Sequence, residues 1–446
     1  MQESRRHWWL VLAVCGVAFV SRLSIWWLQG WRLDQDLDAY LEIARNLAVG
    51  DGFSMGQPPH LTAYRPPLYP LLIAALFACG GTTATLGLMQ IVLGTVTAGL
   101  TLRVGQRLQL GSASWLAAGG VAIDPLLLQY TSLPMTETLC AVLVAVWCWV
   151  LLEFPVCERV GGMSGSVDPI HRNHATGPLL HGVCFGLVCL CRPGFLAAVG
   201  LACAWMVATI ATKWRSGWTC PTYRCRLCAA LWSLIGLTSV LTPWVVRNAL
   251  VIGTATPATT HGGYTLLLAN NPVFYREVVM QPWGTVWQGD SLQRWQTELE
   301  GELAAAGIRP DDEVSRDRWM YRRAWSHIRA EPVVFCRACL WRGLRFWDLA
   351  PWKIPTGYSK FLFGGTAFYY GLLTCGMLIG LVRLSAVEWR TWSVLLLLPL
   401  TLWLTHLVYW TDMRMRAPVI PILALLAARA LRSPPHETSL NRSATP

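Results

Sequence analysis

DLDAYLEIARNLAVGDGFS, residues 36–54, followed a dozen residues later by RPPLYP, residues 65–70, lies between strongly apolar segments. It is an acidic first loop on a chain that otherwise reads as membrane spans, which points to chemistry at a membrane face. Asp34, Asp36 and Asp38 alternate just after the first apolar run. From Tyr40 to Leu47 the spacing is helical, with Ile43 and Leu47 on one side and Glu42 and Asn46 elsewhere. Asp34 or Asp36 suits a helix cap, because Asp accepts hydrogen bonds from the free N–H groups at a helix start. A carboxylate held at a membrane interface equally suits a general base acting on a hydroxyl. The spacing leaves both uses open.

Composition supports the membrane reading. Apolar residues are 54% of the 446, charged residues 14%, and the mean hydropathy is +0.40; a soluble domain carries roughly a quarter charged residues. The formal charge of +11 does not argue for nucleic acid, because Lys and Arg are scattered through short connections rather than gathered on one polar module. Twenty-five Trp suit interfacial anchoring among lipid headgroups. The 15 Cys are odd in number and sit mostly in apolar runs, as small buried thiols do. Cys220, Cys225 and Cys228 are the only tight polar cluster, and they lack a fourth zinc ligand.

Apolar segments fall near 8–28, 84–102, 113–130, 135–153, 177–191, 194–212, 229–246, 361–382, 392–410 and 417–432. The first has no small-residue cleavage site before the polar stretch at residue 29, so we read it as a retained span. Placing the basic connections inside puts both termini in the cytoplasm. PPLYPLLIAALFACG, residues 66–80, then has to be a re-entrant or interfacial helix, and 332–350, interrupted by Arg337, Arg342 and Arg345, an interfacial one. The expected fold is an all-α integral membrane bundle of about 10–12 spans. Its parts are an N-terminal module 1–246 with the first loop 29–83, an extracytoplasmic segment 247–350, and a C-terminal module 351–446. Residues 253–272 read as loop and turns, and 290–330 as one or two charged amphipathic helices forming a small lid or acceptor cap.

On this topology the remaining polar motifs share one side with the first loop: Glu137, Arg192-Pro193, Arg247-Asn248 and Asp412 to Arg416. Each has a bland use beside a functional one. Arg192 suits snorkelling to headgroups, Arg247 a helix C-terminus, Arg65 a stiff turn before two prolines, and Glu137 the N-terminal dipole of its helix. Asp124-Pro125 lies within a span and is less well placed for chemistry.

The run from Asp36 through Tyr40, Ala44, Asn46, Gly50 and Gly52-Phe53, then Arg65 to Pro70, resembles the first-loop signature of the GT-C membrane glycosyltransferases. More narrowly it resembles the bacterial branch related to protein O-mannosyltransferases and the lipid A aminoarabinose transferase. Pro134 to Glu137, Arg192-Pro193, Pro243-Trp244 to Asn248, and Arg414 to Pro418 with Pro421 continue the match in order, over most of residues 22–425. The resemblance implies an inverting transfer from a polyprenyl-phosphate sugar to a lipid, glycan or protein acceptor at the outer face of the plasma (inner) membrane. It implies Asp36 as base, helped by Glu137, and Arg65, Arg192, Arg247, Arg414 or Arg416 at the phosphate. Asp38, Tyr40 and His261 would line the site or meet the acceptor.

No nucleotide-binding loop, haem motif or zinc-protease signature is present. The resemblance implies a metal-free reaction without cofactor, with any need for a divalent cation left open. Competing functions are a lipid-linked sugar flippase and a non-catalytic lipid-binding homologue; few charges fall at mid-span, where transporters place their sites.

Overall fold

A computed structural model describes residues 2–154, 175–204, 221–352 and 360–432; Cys220 and most of the basic loop around it lie outside them. The chain is an integral membrane protein that is almost wholly helical among the described residues. Among the described residues five helices are long and apolar enough to cross a bilayer: Trp9–Asp34, Thr83–Arg107, Leu227–Val251, Lys360–Val382 and Ala386–Val408. Others are shorter, including Glu137–Glu153 and Thr176–Cys191. Leu68–Ala78 has 11 residues, about 16 Å at 1.5 Å per residue, roughly half a hydrocarbon core.

Two expectations from the sequence fail for identifiable reasons. The run 113–130 is split into Ala113–Ile123 and Pro125–Gln129. Pro125 has no N–H for the Val121 carbonyl, and the Leu126 N–H goes to the Tyr370 hydroxyl instead of Ala122. Buried Arg22 takes both stranded carbonyls, Val121 at 3.1 Å and Ala122 at 2.9 Å. Gly94 makes room for it, since a Cβ there would lie 2.0 Å from Arg22 Nε. Conversely, part of the expected loop 253–272 is a helix, Gly262–Ala269. Its Leu266 and Leu267 are buried in a second apolar core with Phe274, Trp295, Leu303 and Trp341, so burial overrides the turn-rich local sequence.

The main core runs through the spans. Helices Thr176–Cys191 and Pro221–Val251 approach at glycine contacts: a Cβ on Gly182 would meet the Ser233 carbonyl at 1.9 Å, the small-residue packing that membrane helices use where no hydrophobic force separates protein from lipid. The charged stretch 290–330 forms two helices, Asp290–Ala305 and Glu313–Ala330.

The first loop carries the helix Tyr40–Val49 and a two-stranded ribbon, Ser54–Met55 paired antiparallel with His60–Leu61. The ribbon hangs on the polar face of that helix. The Asn46 amide donates to the Ser54 carbonyl at 3.0 Å, and the Gly56 N–H to Glu42 Oε1 at 2.8 Å. A two-residue strand has no periodicity to read, so the sequence does not announce it.

Candidate functional site

The first loop enters its helix through Ala39, whose φ is +59°. That left-handed step costs an alanine about 1 kcal/mol, and it turns the chain so that Asp36 faces back onto the helix start. Asp36 Oδ2 accepts the Glu42 N–H at 2.7 Å, while Oδ1 is buried with no hydrogen-bond partner. The helix-start bond and the buried, unpartnered oxygen belong to one carboxylate. Asp34 does not cap this helix; it accepts from the Thr83 hydroxyl at 2.8 Å.

Asp38 holds Arg65. The Arg65 Nε donates to the Asp38 carbonyl and Nη2 to its carboxylate, each at 2.7 Å. The guanidinium also lies over the rings of Tyr64 and Tyr40, 4.6 and 5.5 Å from their centroids. Tyr40 in turn packs edge-on to Tyr69 at 5.3 Å. The Tyr69 hydroxyl is buried and unpartnered, within electrostatic reach of both Asp36 and Glu137.

Glu137 opens its helix at 3% exposure. Oε1 lies 3.5 Å from Arg192 Nη1 and Oε2 has no partner. The other side of Arg192 meets the Met415 thioether at 2.9 Å. Arg414 is similar: Nη1 faces the Met135 sulfur at 3.7 Å, its ion pair with Asp412 is loose at 3.6 Å with Nε buried and unbonded, and a further side-chain hydrogen bond joins it to Tyr130. Thioethers are weak acceptors, so both guanidiniums keep unmet donors. Glu137 and Asp38 are within electrostatic reach of Arg414. Buried polar groups in folded proteins are nearly always paired; Asp36, Tyr69, Glu137 and Arg414 leave atoms unpaired at one end of the bundle, where a polar ligand would complete them.

The five arginines therefore divide. Arg192 and Arg414 face the carboxylates with donors to spare. Arg65 is committed to Asp38. Arg247 is committed to the first loop, donating to the carbonyls of Thr62 at 2.6 Å and Phe53 at 3.1 Å and to Asn248 at 3.1 Å. Arg416, 2% exposed, donates to the carbonyls of Phe346 and Asp348 at 2.8 and 2.6 Å and lies over Tyr370. Arg247 and Arg416 are better described as struts than as anion ligands.

His261 lies against Tyr64 and Tyr264, with ring centroids 4.4 and 5.1 Å away, and its Nδ1 is buried without a partner. Burial, reinforced by the Arg65 charge, pushes its pKa down to about 3, so it is neutral at ordinary pH. Sequence reasoning missed two contributors. Glu313 accepts from the Thr62 hydroxyl at 2.6 Å and the Ala63 N–H at 2.7 Å, tying the charged helix Glu313–Ala330 to the first loop; a partner 250 residues away leaves no local signal. Asp412 was visible only as the polar start of the Arg414 motif, before Arg414 gave it a partner.

No family model and no curated protein matches this sequence. Solved structures do. The archaeal oligosaccharyltransferase AglB from Archaeoglobus fulgidus, in complex with an inhibitory peptide and a dolichol-phosphate, superposes with a TM-score of 0.52 at 13% identity, over 96% of this chain and 50% of that one. The Archaeoglobus fulgidus oligosaccharyltransferase tethered to an acceptor peptide gives 0.47 at 14% identity, over 94% and 49%. This chain spans about half the length of the structures it matches. The likeness to AglB establishes the architecture: the chain carries the multi-span helical fold of the GT-C membrane glycosyltransferases.

Proposed function

We propose that this protein transfers a sugar from a polyprenyl-phosphate donor to a hydroxyl-bearing acceptor at the extracytoplasmic face of the plasma membrane, with inversion. The observation that carries the reading is Asp36 Oδ1, a buried carboxylate oxygen with no partner, held in place by the hydrogen bond its sister atom makes to Glu42. The AglB structure contains a dolichol-phosphate, which supports a lipid-linked donor here. The narrower resemblance to protein O-mannosyltransferases and the aminoarabinose transferase supports a single sugar on a monophosphate lipid.

In the proposed step the acceptor O–H gives its proton to Asp36 Oδ1 as its oxygen attacks the anomeric carbon. The bond from that carbon to the phosphate oxygen breaks, and the electron pair leaves on the lipid phosphate. Arg192 and Arg414, whose donors are only weakly engaged, meet that growing negative charge; donors aimed at charge that develops only in the transition state lower the barrier rather than merely binding substrate. Glu137 and Tyr69 orient the acceptor. Two fixed arginines at the phosphate make a metal ion dispensable in this scheme, so turnover survives exhaustive chelation.

The test is release of polyprenyl phosphate by purified protein from a panel of polyprenyl-phosphate sugars with sugar, lipid and peptide acceptors. Release that vanishes in Asp36→Asn supports the transferase. Binding without release across the panel, or movement of the intact donor between leaflets, replaces it with the binder or the flippase.

A further inference from the structure

Next to the carboxylate and arginine cluster is a cavity of about 140 Å³ whose walls include Gln129, Tyr130, Arg345, Asp348, Trp352 and Asp412. Arg414 is its shared wall, lining the cavity while lying within electrostatic reach of Glu137 and Asp38 on its other side. The geometry points to this cavity as the subsite for the donor's sugar ring, taking a neutral polyhydroxylated monosaccharide rather than phosphate. The inference rests on the transferase reading above and deepens it.

Charge pairing makes the choice. Two arginines and two carboxylates face the cavity: Arg345 is paired with Asp348 at 3.2 Å, and Arg414, only loosely paired with Asp412 at 3.6 Å, keeps its spare donors for the phosphate side that it shares with the cluster. The formal charges cancel, so a phosphate here meets as much repulsion as attraction. A sugar hydroxyl both donates and accepts, and paired charges together with the Gln129 amide and Tyr130 phenol offer both kinds of partner. Burial pushes the Asp348 carboxyl up to about 6 against the pull of Arg345, so its anion gains from a further donor.

Size and rigidity agree. At about 140 Å³ the cavity is on the scale of one sugar ring rather than of a glycan chain. Trp352 is fixed on several sides. The Arg345 guanidinium lies 3.6 Å from its ring centroid, and Trp283 and Trp341 pack edge-on at 4.8 and 5.5 Å. An apolar wall held this firmly is ready-made for the C–H face of a pyranose, with little side-chain entropy left to lose on binding.

The deciding experiment compares two ligands on the full chain in nanodiscs: sugar-free polyprenyl phosphate and polyprenyl-phosphate hexoses. Wild type should bind the best hexose lipid about tenfold or more tighter than the bare lipid phosphate. Gln129→Ala and Trp352→Leu should each cut that ratio about fivefold, roughly the loss of one hydrogen bond or one wall contact, and leave the affinity for the bare lipid phosphate unchanged. If Trp352→Leu does not fold, Gln129→Ala decides. An unchanged ratio in the folded variants overturns the sugar subsite, and an equal loss for both lipids assigns the cavity to the phosphate instead. Wild type that binds neither lipid overturns this inference along with the transferase reading. A sugar preference that depends on the cavity, with no turnover by any acceptor, sinks the transferase alone.

Discussion

Asp36 and Glu42 are joined by a 2.7 Å hydrogen bond from the Glu42 N–H to Asp36 Oδ2, and that bond leaves the other oxygen of the carboxylate, Oδ1, buried and without a partner. Asn is about as good a cap as Asp, so Asp36→Asn keeps the helix start while removing the basic oxygen. Turnover should fall about 10³-fold or more, within the range for loss of a positioned base, with the melting temperature little changed. Asp36→Ala should lose the same activity and in addition about 1 kcal/mol of stability. Residual turnover within tenfold of wild type in Asp36→Asn would remove it as the base.

The arginines give a second separation. Arg192 and Arg414 have weakly engaged donors and should act on the reaction; Gln at either should lower kcat about 10²-fold, the usual cost of one transition-state donor, with modest thermal effect. Arg416 serves two buried carbonyls, so Arg416→Gln should destabilise by roughly 2–4 kcal/mol, at about 1–3 kcal/mol per orphaned group. Parallel measurement of kcat and thermal midpoint in the three variants checks this; a kcat effect confined to Arg416→Gln reverses the assignment.

His261 gives a pH signature. Its folded pKa of about 3 lies below the unfolded value near 6.5, so between those values the unfolded chain binds more protons and stability falls on acidification. The contribution is complete above about pH 6.5 and is lost progressively toward pH 3. At pH 5 the loss is on the order of 1–2 kcal/mol after allowing for partial exposure of the ring. Asp317, pushed up to about 6 chiefly by burial while accepting the Gly263 N–H at 2.6 Å, slopes the other way between about 4 and 6. His261→Phe keeps a ring between Tyr64 and Tyr264 and removes the titration, so its thermal midpoint should drop less between pH 7 and 5 than wild type. Equal drops would show that His261 is not buried as described.

How much of this was legible in the sequence follows from the range of the interactions. The first-loop helix was legible, because Ile43, Leu47, Glu42 and Asn46 repeat at helical spacing and the packing obeys them. Asp36 as cap or as base was legible as an ambiguity, and the structure shows one oxygen bonded at the helix start and the other buried without a partner. The sorting of five arginines was not legible. Arg247 and Arg416 differ from Arg192 and Arg414 only in what lies opposite them, backbone carbonyls in one case and methionine sulfurs in the other, and each of those partners is remote in sequence. The helix Gly262–Ala269 was misread because its glycines signal turns, while the burial of Leu266 and Leu267 that fixes it is tertiary.

The most remote of these contacts carries the last prediction. Glu313 and Arg247 grip the same few residues of the first loop: the carboxylate takes the Thr62 hydroxyl and the Ala63 N–H, and the guanidinium takes the Thr62 carbonyl. The gripped segment runs directly into Arg65, which holds Asp38 two residues beyond Asp36. Glu313 thus touches no candidate reacting atom and acts through the loop it holds. Glu313→Gln keeps an acceptor for the Ala63 N–H but weakens two charge-assisted bonds, each about twice as strong as its neutral counterpart. Faster amide exchange should appear across residues 53–65, and kcat should fall about tenfold, with the spans as protected as before. Glu313→Asp, shorter by one methylene, should lose the grip and not rescue, whereas Arg247→Lys should loosen the same segment through its carbonyl contacts. If exchange in 53–65 is unaltered in all three variants while kcat still falls, Glu313 works on the chemistry by some route other than the loop.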